Sequence, residues 1–192
     1  DRSDEPMEED EPSACPHHQS RGNSCSKIVT QKKGFLYICG RDYRMRPILV
    51  NNFKQLDYNF LEDHVKACVF AHEWVIRNMF LPGQIENWIV IYDLGKMGIT
   101  DIPINACKQI MQTLSNNYGG RLFRLFAVNV PGTAWFTWKV MSAVLDDATV
   151  EKISLDTDID VPKLFQLCDR SQIEVKFGGT QPNLTEYWYN FT

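Results

Sequence analysis

From Lys33 onward the chain alternates between short apolar runs and longer stretches with helical spacing. "GFLYICGRD" and "RPILVNNF" are two apolar runs around the polar "GRDYRM", which predicts a strand, a turn and a strand. Leu61, Val65, Cys68, Val69, His72, Ile76 and Met79 then recur at i, i+4, i+7, i+8, i+11, i+15 and i+18, one face of a long helix that Pro82-Gly83 ends. "NWIVIYDLG" is a near-continuous apolar strand. Ile104, Cys107, Ile110, Met111, Leu114 and Tyr118 mark a second helix, stopped by Gly119-Gly120. "RLFRLFAVNVP" is a further strand, followed by the helix "TAWFTWKVMSAVLDD" with Thr133 as its cap. A short strand at "KISLD" and a small helix around "VPKLFQLCD" complete the series.

Strand, helix, strand, helix, strand is the order of parallel crossovers, and strands without alternation need cover on both faces. The predicted class is therefore α/β, a mainly parallel sheet with flanking helices. The helix from Thr133 to Asp147 is unusual. Trp135, Phe136, Trp138, Val140, Met141, Val144 and Leu145 occupy almost every side of it, and only Thr137, Lys139 and Ser142 interrupt them. Such a helix is normally buried all round or sits in lipid, yet it is too short to span a bilayer, which takes ~20 residues.

Composition adds a tail and a compartment. The 192 residues are 44% hydrophobic and 12% aromatic, enough for one sizeable core. Residues 1–12 hold seven acids and one Arg, a net of −6, while the rest holds seventeen acids and nineteen Lys or Arg, a net of +2. Residues 1–26 read as an acidic, disordered tail. The mildly basic remainder suits an anionic membrane surface weakly and, with no Lys/Arg cluster, does not suit nucleic acid. Cys15, Cys25, Cys39, Cys68, Cys107 and Cys168 follow no CxxC spacing, and Cys68 and Cys107 fall on apolar helix faces, so free thiols in a reducing compartment are expected. The sequons at Asn183 and Asn190 then carry no meaning.

The search for catalytic chemistry returns little. There is no Walker-type or GxGxxG loop, no GxSxG elbow and no HExxH. Asp93 ends a strand, where ligands of α/β folds often sit, but a capping carboxylate explains it better. Cys15, His17, His18 and Cys25 are zinc-type ligands without zinc-type spacing, and His64 and His72 read as ordinary helix residues. The expectation is a protein that is not an enzyme and holds no metal or cofactor.

The ordered set "GRDYRMRPILV", "WIVIYDLG", "RLFRLFAVNVPGTAWFTWKVMSAVLDDATVEKI" and "VKFGG" resembles the CRAL-TRIO lipid-binding domain of Sec14-type proteins over roughly residues 34–180. Its most specific block runs from Asn129-x-Pro131 through Leu145-Asp146, Thr149-Val150 and Lys152-Ile153 to Phe177-Gly178-Gly179. The resemblance implies a sheet floor and helices enclosing an apolar cavity, with the helix from Ala134 to Leu145 as a gate that opens at a membrane to exchange one lipid. On that basis Trp135, Phe136, Trp138, Met141, Val144 and Leu145 are expected at the gate, Trp88, Val90, Tyr92, Phe126 and Val128 on the cavity floor, and Lys152 at the headgroup. The family's helical N-terminal subdomain would stand where the acidic tail is. The Glu that phosphatidylinositol binders of the type use falls here on Gly120, and the hydroxyl positions of phosphatidylcholine binders carry Trp88 and Val90; Arg121 and Lys176 are the other nearby cations. The implied organisation is a tail over 1–26, a lipid-binding domain over 27–180 and an extension over 181–192. The implied role is binding and transfer of a phospholipid, phosphatidylinositol included, or another lipophile by a cytoplasmic protein that meets membranes peripherally. An interaction module that has kept the fold and lost transfer is the alternative.

Overall fold

Ile48, Leu49 and Val50 are each wholly buried although they alternate in direction, so this strand has cover above and below. The computed structural model describes residues 34–56, 59, 61–95, 104–131, 135–143, 145–155, 161–185 and 187, without the side chains of 135–137 and 141. The acidic tail, its Cys and His residues, the Thr133 cap and Val144 lie outside the described residues. The described strands are β1 (Leu36–Arg41), β2 (Pro47–Asn52), β3 (Trp88–Asp93), β4 (Leu122–Val128) and β5 (Ile153–Leu155). They form one sheet in the order β1-β2-β3-β4-β5. β1 pairs antiparallel with β2, and every later pair is parallel.

This order decides where the helices go. The helices are α1 (Leu61–Met79), α2 (Ile104–Asn117), α3 (Trp135–Ser142), α4 (Asp147–Val150) and α5 (Pro162–Phe165). Parallel crossovers are right-handed. Because β2, β3, β4 and β5 are added one after another in a single direction, all three crossovers fall on the same face. α1 and α2 accordingly pack on Leu49, Val90, Tyr92, Leu125 and Ala127, with Trp138 of α3 and Leu145 at the margin of that cluster.

The opposite face carries Ile48, Val50, Ile89, Ile91, Phe126 and Val128, and among the described residues no crossover helix packs on it. It is covered by the chain after β5 through Val161, Leu164, Cys168, Ile173 and Phe177. Polar contacts hold this cover to the β1 edge. Glu174, fully buried, accepts from the Tyr37 hydroxyl at 2.6 Å and from the Leu184 amide at 2.8 Å, and pairs with Lys176 at 3.0 Å. The Arg41 amide donates to Gln172 Oε1 at 3.2 Å, and the Tyr43 amide to the Leu167 carbonyl at 2.9 Å.

Candidate functional site

On the crossover face the helices stand off the sheet and leave a cavity of about 70 Å³. Its floor is Asn51 of β2, Trp88, Val90 and Tyr92 of β3, Leu122 and Leu125 of β4, and Ile153 of β5. α1 supplies His72. α2 supplies Met111, Leu114 and Ser115, and Tyr118 and the Gly119-Gly120 turn follow it. Leu145, Thr149 and Lys152 close the side next to β5. The volume is roughly that of two liquid waters, well below the ~300–1,000 Å³ of small-molecule pockets.

Local structure fixes each wall. The Leu125 amide donates to the Lys152 carbonyl at 2.9 Å, so Lys152 stands where the β4–β5 ladder begins. Just before it, Asp146 accepts from the amide of Thr149 at 2.8 Å and its hydroxyl at 2.7 Å, a cap that starts α4 and aims Thr149 at the cavity. Trp88 is enclosed by rings, with centroids 4.7 Å from His72, 5.5 Å from Phe80 and 5.7 Å from Tyr118. Tyr118 also stacks on His72 at 5.2 Å and reaches Glu73 at 3.1 Å.

His72 lies 2.7 Å from the Cys68 carbonyl through Nδ1. A carbonyl only accepts, so the proton is on Nδ1 and Nε2 keeps its lone pair. Burial pushes the imidazole down to about 4, against the pull of the Cys68 carbonyl. The unfolded chain protonates this residue near 6.5. The folded state therefore has its full stability above about pH 6.5 and loses it as pH falls toward 4, by about 3 kcal/mol in all. His72→Phe keeps the ring stack without the proton site. Urea unfolding midpoints near neutrality and near pH 4.5 should differ less in this variant than in the wild type.

Burial also raises the Tyr92 phenol, and pushes the Tyr118 phenol and the Cys68 and Cys107 thiols each up to about 12. Cys39, Cys68, Cys107 and Cys168 are all buried free thiols. The groups around the cavity are thus neutral apart from Lys152 at its rim and Glu73 behind Tyr118.

Several expected site residues meet here and others do not. Trp88, Val90, Tyr92, Leu145 and Lys152 line one space. Phe126 and Val128 do not: they face the opposite side of the sheet, and the β4 part of the floor is Leu122 and Leu125. The strand is apolar on both faces, so its phase is hidden in the sequence. The helix expected over Ala134 to Leu145 is described from Trp135, and its C-terminal end falls short of Leu145. It ends at Ser142, because the Asp146 cap begins a new helix, and Leu145 sits in the link between the two. Trp138 is half-buried against the crossover-face cluster, while Lys139 and Val140 are exposed. The Trp135, Phe136 and Met141 side chains and Val144 lie outside the described residues. Lys176 is on the far side of the sheet beside Glu174, and Arg121 pairs with Glu86 at 3.3 Å.

Asp93 accepts from the Gly95 amide at 2.9 Å and from Asn129 Nδ2 at 2.8 Å. It ties the ends of β3 and β4 together, with Asn129 in the left-handed region (φ 54°) that Asn tolerates. Asn51, His72 and Tyr118 enter the cavity wall without having been singled out as site residues. Asn51 leaves one trace in the sequence, a residue of low β propensity inside the apolar run "RPILVNNF".

Comparison with known proteins gives a consistent set. The family model described as the CRAL/TRIO domain matches residues 31–179. A CRAL-TRIO domain-containing protein of Schizosaccharomyces pombe is 29% identical over 130 residues, 65% of this chain and 12% of that protein. Two Arabidopsis thaliana proteins named as phosphatidylinositol/phosphatidylcholine transfer proteins, SFH4 and SFH7, are 26% and 25% identical over 156 residues; each alignment takes in 73% of this chain, and 26% and 28% of the respective protein. The chain thus spans at most about a quarter of the length of these curated relatives. The crystal structure of Sfh5 superposes with a TM-score of 0.61 at 16% identity, over 71% of this chain and 51% of that one, a likeness of fold.

Proposed function

The chain belongs to the CRAL/TRIO domain family, and from that membership we propose that it binds one lipid molecule on the crossover face of its sheet and passes it between membranes. The observation that carries the reading is the neutral, largely apolar cavity with one cation, Lys152, at its rim. Each buried methylene of an acyl chain contributes ~0.8 kcal/mol, so a long chain is held by dry space alone. Lys152 supplies the charge for a phosphate at the mouth. The names of the two Arabidopsis relatives support phosphatidylinositol and phosphatidylcholine as the classes to try first.

The small volume sets a condition on this reading: an acyl chain enters only if a wall moves. The segment from α3 to Lys152 is the wall suited to it. α3 is about 12 Å long, presents Trp138 to the core and Val140 to solvent at 41% exposure, and carries apolar residues nearly all round. Facing the core when closed and a bilayer when open uses both sides. Among the described residues no helix is long and apolar enough to cross a membrane, so contact with the bilayer falls to surfaces of this kind.

Native mass spectrometry of the purified chain after incubation with vesicles of phosphatidylinositol and phosphatidylcholine tests the proposal. One phospholipid per chain is expected, with phosphatidylinositol enriched over its share of the vesicles. A chain that leaves the vesicles empty overturns it and favours the second reading, an interaction module without transfer, for which the small cavity is the supporting observation.

A further inference from the structure

One polar group in the cavity wall has no hydrogen bond to explain it. Asn51 is 1% exposed and lines the cavity, and its Nδ2 has no hydrogen-bond partner among the described residues. Buried side-chain amides in folded proteins are nearly always partnered. The main chain beside it is committed, because β2 is laddered to β1 on one side and to β3 on the other, with Asn51 opposite Tyr92. The adjacent residues of the same phase, Leu49, Val90 and Tyr92, make an apolar floor that a leucine at position 51 would continue. Packing therefore gives no reason for an amide here. Its location does: Asn51 on β2 and Lys152 before β5 sit at opposite corners of the cavity, three strand spacings or ~14 Å apart across the sheet.

We propose that Asn51 is a specificity-determining residue of the lipid site, its amide donating to an acceptor oxygen (an ester, ketone or ether oxygen) on the interior part of the ligand. A hydrocarbon laid over Asn51 strips the amide of any partner, whereas an oxygen at that point supplies one. The same preference follows whether the amide is dry or hydrated before the ligand arrives. The site thus selects an oxygenated lipophile over a bare alkyl chain, which deepens, and rests on, the lipid-binding reading above.

Competition between hexadecane and hexadecan-2-one for the full-length chain, stripped of lipid and read by mass spectrometry of the bound fraction, tests the assignment. The ketone-to-alkane ratio bound by the wild type should exceed that bound by Asn51→Leu by about tenfold, the size of one hydrogen bond to an otherwise orphaned donor. Asn51→Leu should also unfold at a temperature no lower than the wild type in the absence of ligand, which a merely structural amide would not allow. A measurement on the wild type alone keeps the idea exposed should the variant fail to fold: the infrared carbonyl band of carbonyl-labelled ketone should lie at lower frequency when bound than in hexane. Equal ratios in the two proteins, or an unshifted band, overturn the role of Asn51 and leave lipid binding standing. Failure of both probes to bind overturns the lipid-binding reading and this assignment together.

Discussion

Trp138→Asp should abolish lipid exchange between vesicles while the sheet stays folded. Trp138 is the described α3 side chain that packs on the crossover-face cluster, and it does so from the margin. An aspartate there has two outcomes. Held in place, it is a charge against an apolar wall, at a cost of several kcal/mol; released, it lifts α3 and removes the indole that would sit at a membrane interface. Either way the exchange rate should drop by at least ~tenfold, a barrier change of about 1.4 kcal/mol. Because release of α3 relieves the charge before that full cost is met, and no strand depends on this side chain, the thermal midpoint should fall by only a few degrees. Trp138→Phe keeps the apolar contact and should keep most of the transfer. Fluorescent phospholipid transfer between donor and acceptor vesicles, with circular dichroism as the folding control, makes the measurement. Undiminished transfer by the Asp variant would remove α3 from the gating role. In an interaction module the wild type would show no transfer to lose, and partner binding would survive the change.

Gly179→Ala should destabilise the domain by about 4 kcal/mol, combining overpacking with two or three lost hydrogen bonds. A Cβ at this position would lie 1.9 Å from the Ile173 carbonyl oxygen and 2.7 Å from that of Arg170. Both obstacles are main chain, so no rotamer relieves them. Moving the backbone strains the bonds from the amides of Gly179, Thr180 and Gln181 to the carbonyls of Glu174, Arg170 and Ile173. For a domain of this size the midpoint should fall by roughly 8–16 °C, measurable by calorimetry. The neighbouring Gly178 acts differently: it is the left-handed cap (φ 82°) of the 3₁₀ turn Val175–Phe177, where Asn would serve better than Ala. A Gly179→Ala protein as stable as the wild type would mean that the Arg170–Gln181 cover does not hold its place on the sheet.

The two glycines also show what kind of information the sequence carried. Strands and helices were legible because their apolar spacing and their stops, Pro82-Gly83 and Gly119-Gly120, are local. The pair Gly178-Gly179 was legible only as part of a family resemblance, because its reasons, a left-handed cap at Gly178 and a close approach of Gly179 to residues 173 and 170, are ones that no periodicity reveals. Which face a residue takes came for β3 only with the family resemblance, and for β4 it was missed. From Leu125 to Val128 every position is apolar and buried, so direction there depends on the register with neighbouring strands, and Phe126 and Leu125 look alike. The C-terminal end of the helix expected as a gate was overextended for a similar reason: Asp146 reads as the end of one helix in "AVLDD" and acts as the start of the next. Asn51 left a local trace, but its meaning needed the cavity.

The sequential order of the sheet has a consequence for biosynthesis. Each strand from β2 to β5 finds its neighbour already made and waiting at the open edge, so the crossover side assembles in step with translation. The other side cannot. Ile48, Ile89, Ile91 and Phe126 stay uncovered until residues 161–184 have been synthesised, a delay on the order of several seconds after β4 is complete. During that interval the nascent chain carries a finished crossover face and an apolar back without its cover from residues 161–184, and it is the back that a chaperone would need to shield.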